Sequence, residues 1–143
     1  MAVRKGKGQP GRKPAPASSP SLSFPSSLPE NEIENGIREA FLRAGWYPIK
    51  TEAGMVARRQ KHGHLPAGFP DLTVFRRLPG TPLCLAALIE VKTETGTLEP
   101  SQVERHAELV TYGLSPRIIR DAGAAAALIA EGNRVAALLR GQR

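Results

Sequence analysis

Asp71, Glu90 and Lys92 are the residues of this chain whose types and spacing could do chemistry. Asp, Glu and Lys are all depleted in β-strands. Yet Glu90 and Lys92 close Leu83 to Val91, the most apolar run in the sequence, and Asp71 opens a second apolar stretch, Leu72 to Phe75. Between the two lies a strong turn signal, Leu78-Pro79-Gly80-Thr81-Pro82. The midpoint of positions 71 and 90 falls between Gly80 and Thr81, so a hairpin symmetric about that turn sets Asp71 opposite Glu90. Alternation along a strand then places Glu90 and Lys92 on one sheet face. Two carboxylates so close repel unless a cation joins them. Lys92 is one such cation, but a hard divalent ion, Mg2+ or Mn2+, suits carboxylate oxygens better. With an ion bound, the group is equipped to attack a phosphodiester, Lys92 orienting water or stabilising developing charge. The plainer alternative is a salt bridge at a strand end.

These residues need a sheet and helices to hold them. Ser27 is placed to cap a first helix, with Glu30 in capping-box position and Pro29 in the first turn. Ile33, Ile37, Phe41 and Ala44 follow helical spacing, and Gly45 ends the run. Trp46 to Thr51 reads as a first strand. Gly54 to Pro70 has no clear period and reads as a loop. Leu72 to Phe75 is the second strand, and Leu83 to Val91 suits a strand buried on both faces, with Cys84 in the core. Pro100 fits the first position of a helix whose Val103, Ala107 and Val110 share one side. Arg117 to Arg120 is a last short strand. Asp121 caps an Ala-rich helix that breaks near Gly132. The pattern is α/β, a mixed sheet of about four strands covered on both faces.

Composition narrows the function. The chain has 143 residues, a length that fits one domain. Its 20 Lys/Arg against 13 Asp/Glu give a formal charge of +7, which suits an anionic partner such as nucleic acid. One cysteine excludes a disulfide framework and any zinc site built on two or more cysteines. No glycine spacing points to a phosphate loop. No apolar run approaches a membrane span and no secretory signal is visible, so a cytoplasmic, membrane-free protein is expected. Residues 1–29 differ from the rest: rich in Pro and Ser, they carry five Lys/Arg and no acidic residue. This composition predicts a disordered basic tail, leaving 30–143 as the folded domain. The tail either adds phosphate affinity or merely solubilises the chain.

The neighbouring residues extend the reading. Gly68-Phe69-Pro70-Asp71-Leu72, then Ile89-Glu90-Val91-Lys92-Thr93-Glu94-Thr95-Gly96, then Pro100-Ser101-Gln102 resemble the VRR-NUC branch of the PD-(D/E)xK nucleases. The resemblance spans about Glu30 to Arg120. It implies a restriction-endonuclease-like core, metal-dependent phosphodiester hydrolysis, and metal ligation by Asp71, Glu90 and the Val91 carbonyl. Lys92 takes the catalytic lysine role and Gln102 matches the family's helix glutamine. The family also places a Glu on its first helix near the metal. Glu30, Glu32 and Glu34 compete for that place here, and Glu34, flanking the stripe of Ile37 and Phe41, is chosen.

Arg58, Arg59, Lys61 and His64, with His62 beside them, read as a loop that contacts DNA phosphates. His106, four residues after Gln102, reads as structural or surface. Taken together, the sequence predicts a Mg2+- or Mn2+-dependent deoxyribonuclease, bacterial or phage-encoded, with a homodimer expected, acting in repair, recombination or genome processing. The rival is a basic DNA-binding protein without catalysis. The tail is testable at this point. Removal of residues 1–29 should weaken DNA binding at low salt and flatten the slope of log K against log salt, equally for unrelated sequences. The melting temperature should not move. A salt slope equal to that of the full chain would return the tail to a solubilising role.

Overall fold

A computed structural model describes residues 28–51 and 65–141 of the chain. Helix α1 (Glu30–Arg43) leads into strand β1 (Tyr47–Lys50). The hairpin of β2 (Leu72–Arg77) and β3 (Cys84–Val91) follows. Helix α2 (Pro100–Thr111), strand β4 (Arg117–Ile119) and helix α3 (Ala122–Gly141) complete the order. The sheet runs β1-β2-β3-β4. β1 and β3 lie antiparallel to β2, whereas β4 lies parallel to β3. A parallel pair needs a long crossover, and α2 supplies it.

The hairpin register follows its turn. Leu72 pairs with Ile89 and Arg77 with Cys84, so every pair is centred between Gly80 and Thr81. Leu72 and Val74 of β2 and Ile89 and Val91 of β3 therefore share a face. They cluster with Ile33, Ile37 and Phe41 of α1, Trp46, Ile119 of β4 and Ala125 of α3. On the opposite face of β3, Glu90 is reached by Gln102 and His106, which places α2 over the site end of that face. Helices thus cover both faces, and the class is α/β with a mixed four-stranded sheet, as expected.

Tertiary context overrode several local expectations. The cap of α1 is Pro29, without a side-chain hydrogen bond, and Ser27 lies outside the described residues. Only the last four residues of β3 are buried; Cys84 is exposed, because β4 pairs with the Ile89–Val91 end alone. Val103, Ala107 and Val110 of α2 face outward, and the helix instead turns Gln102, His106 and buried Leu109 to the body. In length and composition α3 would suffice to cross a membrane, against expectation; its Ala125 and Ala136 are buried in the fold.

Gly132 does not break α3, which runs on to Gly141. It makes room for Trp46. The indole meets Phe41 edge-on at 5.4 Å between centroids, and the Arg76 guanidinium lies 5.8 Å from its ring. A Cβ on Gly132 would sit 2.5 Å from the indole Cη2 and Cζ2. Helix propensity alone favours alanine by ~1 kcal/mol, but overpacking costs about 1–3 kcal/mol. Gly132→Ala should therefore lower the melting temperature by several degrees. Gly36→Ala, where a Cβ meets nothing within 4 Å, should raise it slightly.

Candidate active site

Asp71 precedes β2 directly, and the strands on either side of β2, β3 and β1, hold it from both sides. Extended by one residue, the hairpin register sets it opposite Glu90. The Val91 amide donates to Asp71 Oδ2 at 2.7 Å. On the other side, the Thr51 amide donates to the Asp71 carbonyl at 2.7 Å and Thr51 Oγ1 donates to the Pro70 carbonyl at 2.7 Å. Thr51 went unnoticed in the sequence. Its signal is positional: the β1–β2 register, extended, sets it opposite Asp71.

The Lys92 amide donates to the Ile119 carbonyl of β4 at 3.2 Å. In a trans peptide the carbonyl points away from the N–H. The Val91 carbonyl, in that same peptide, is therefore aimed from β4 toward the Asp71 side. The turn after Lys92 is held by Arg120, which donates to the carbonyls of Thr93, Glu94 and Gly96.

Glu90 is the centre of the group and is fully buried. Its Oε1 takes hydrogen bonds from Lys92 Nζ at 3.0 Å and from Gln102 Nε2, and its Oε2 faces His106 Nε2 at 3.3 Å. The capping of α2 sets the Gln102 amide. Gln102 Oε1 accepts the Glu99 N–H at 2.9 Å, and a backbone N–H can only donate, so the amide nitrogen is left for Glu90. The start of α2 is in turn seated on the Gly68-Phe69-Pro70 segment. Gly68 has φ +76°, and a Cβ there would lie 2.0 Å from the Ser101 carbonyl oxygen. Arg105 Nε donates to the Ala67 carbonyl at 3.2 Å. Gly68 thus lets Asp71 and Gln102 share one small volume.

Asp71, Glu90, Val91, Lys92 and Gln102 come together at one end of the sheet. Glu34 does not join them. It pairs with Lys50 Nζ at 3.1 Å, because its position on α1 faces β1. Glu30, one turn nearer the N-terminus, is the first-helix carboxylate closest to the group, with Oε1 3.9 Å from Lys92 Nζ. His106, expected to be structural or on the surface, touches Glu90. Arg58, Arg59, Lys61, His62 and His64 lie outside the described residues.

Burial pushes the Glu90 carboxyl up to about 7; Lys92 opposes the shift and the charge of Asp71 adds to it. Burial also disfavours the Lys92 ammonium, but Glu90, Glu30 and Asp71 outweigh it and hold that pKa above the ordinary lysine value. His106 is lowered by burial and by Lys92, with Asp71 opposing. Among the described residues no three His, Cys, Asp or Glu side chains gather around one point. The oxygen donors here are two carboxylates and an aimed carbonyl. That set suits an ion such as Mg2+, which takes one or two carboxylates and completes its shell with water and substrate phosphate.

A mixed sheet with carboxylates and a lysine gathered at one end, and a glutamine-bearing helix laid over them, defines a restriction-endonuclease-like protein. The model of the VRR-NUC domain matches residues 34–118, and the chain belongs to the VRR-NUC family; its domain is of nuclease type. Glu30 lies ahead of the matched range. A solved structure described as a VRR_NUC domain is similar in fold, with TM-score 0.52 and 21% identity, over 70% of this chain and 92% of that one. No curated protein matches.

The buried carboxyl makes stability depend on pH when metal is withheld. At low pH Glu90 is protonated in folded and unfolded chains alike. As pH rises from the ordinary 4.5 toward about 7 the unfolded chain gives up the proton first, so the folded state loses ground. In EDTA, the stability of Glu90→Gln relative to wild type should therefore rise between about pH 4.5 and pH 7 and level off above. Denaturant melts across that range read it directly, and a flat difference would mean that Glu90 ionises without cost.

Proposed function

We propose that this protein is a Mg2+- or Mn2+-dependent deoxyribonuclease that hydrolyses phosphodiester bonds, with branched or junction DNA as its substrate class. The observation that carries the reading is the convergence of Asp71 and Glu90 beside Lys92, each tied into the fold by hydrogen bonds. Asp71, Glu90 and the Val91 carbonyl are the groups that would hold the ion. When bound, it supplies polarisation of a phosphoryl oxygen and acidification of water. Lys92 keeps its proton under the charges of Glu90 and Glu30, so its ammonium can orient the attacking water or neutralise charge developing on the phosphate. Gln102 fixes Glu90, and Thr51 fixes the backbone at Asp71.

Charge distribution supports a division of labour. Basic and acidic side chains nearly balance among the described residues, and the excess of Lys/Arg lies in 1–29 and 52–64. Those segments enter the described body beside Glu30 and beside Thr51, both at the site end. Phosphate contacts from Arg58, Arg59, Lys61 and His64 are part of this reading. So is a homodimer, for which the outward Val103, Ala107 and Val110 of α2 offer one apolar surface. A binder without catalysis would gain nothing by burying a carboxylate where phosphate must approach.

Four-way-junction DNA should be cleaved faster than duplex or single-stranded DNA, and cleavage should require Mg2+ or Mn2+ and stop in EDTA. Asp71→Ala and Lys92→Ala should each lower the cleavage rate by about 100-fold or more, while DNA affinity is kept. Full cleavage by well-folded Asp71→Ala would remove the proposed site.

A further inference from the structure

The Glu90 carboxylate is gripped at both oxygens by one helix. Gln102 and His106 are four residues apart on α2, and so lie on the same helical face. Each carboxylate oxygen offers two lone pairs. Among the described residues Oε1 accepts from Lys92 Nζ and Gln102 Nε2, which uses both of its pairs. Among the described residues the hydrogen-bond partner of Oε2 is His106 Nε2 alone, at 3.3 Å; an ionised carboxylate can only accept, so the ring nitrogen donates and Oε2 keeps one pair. The terminal torsion of a glutamate is broad and two-fold, so donors at Oε1 alone leave the carboxylate plane free to swing. A second donor on Oε2 stops that motion.

Resting on the nuclease reading above, we propose that His106 is a positioning residue: by holding Oε2 of Glu90, it aims the one lone pair that α2 and Lys92 leave open at the place of the divalent ion. The donor is Nε2–H, and the ring is fixed because α2 is seated through Gly68 and Arg105. His106 does not touch the reacting atoms. Its effect passes through Glu90, which separates it from Lys92 and Asp71 in role.

The test uses the full chain with Mn2+ as the probe. Wild type, His106→Ala, His106→Phe and His106→Gln are titrated with Mn2+ by calorimetry in the absence of DNA, and cleavage is followed against Mn2+ concentration. Loss of an orienting partner behind a metal ligand typically costs 10–100-fold in affinity. His106→Ala and His106→Phe should weaken Mn2+ binding by about 10-fold or more, with cleavage partly recovered at high Mn2+. His106→Gln can present an amide N–H in place of Nε2–H and should restore most of the affinity. A role in packing alone makes the opposite prediction, with His106→Phe retaining affinity and His106→Gln losing it. That result, or wild-type Mn2+ affinity in all three variants, overturns the proposal while leaving the nuclease reading intact. Wild-type protein that takes up no Mn2+, or Asp71→Ala that takes it up undiminished, overturns the metal reading and this inference with it.

Discussion

A carboxylate with no exposure to water is costly, and the fold is arranged around keeping Glu90 there. Burying a charge without partners costs many kcal/mol, so the elements around it must contribute donors and a cation. The chain just past β3 contributes Lys92, two positions on and on the same side. α2 contributes Gln102 and His106, which explains why this helix turns polar side chains inward and leaves Val103, Ala107 and Val110 facing out. The demands of Glu90 outrank the amphipathic pattern of α2.

The supports of the site form a chain. Gly68 and Arg105 seat α2 on the segment before Asp71, the capping of α2 turns the Gln102 amide toward Glu90, and Arg120 braces the turn between Lys92 and α2. Each support is a backbone contact made by a side chain, or a backbone approach that only glycine permits. Precision of this kind belongs on strands and helix ends and not on free loops. On the other face of the sheet the requirement is ordinary close packing, met by Phe41, Trp46 and the notch at Gly132.

Burial raises the Glu90 carboxyl even with Lys92 beside it. A buried ionisable group is destabilising by itself, as functional sites often are, and the packed core on the far face offsets it. On the proposed metal-dependent reading, an ion held by Glu90 would lower that carboxyl and so stabilise the folded state.

The hairpin register, and with it the opposition of Asp71 and Glu90, was legible in the sequence because a symmetric turn leaves one pairing that keeps Leu72, Val74, Ile89 and Val91 on a single face. The first helix was legible for a similar reason: Ile33, Ile37 and Phe41 repeat at its period and are buried. Periodicity speaks only for what an element does with its apolar side chains. It could not show that α2 would be recruited for its polar face, nor that β4 would cover just half of β3 and leave Cys84 exposed. The choice among the first-helix glutamates depended on where α1 crosses β1, which sends Glu34 to Lys50 and brings Glu30 to within 3.9 Å of Lys92. Gly132 carries the same lesson. A glycine in a helix reads locally as a break, and only the arrival of Trp46 from the far end of α1 makes it a requirement of packing.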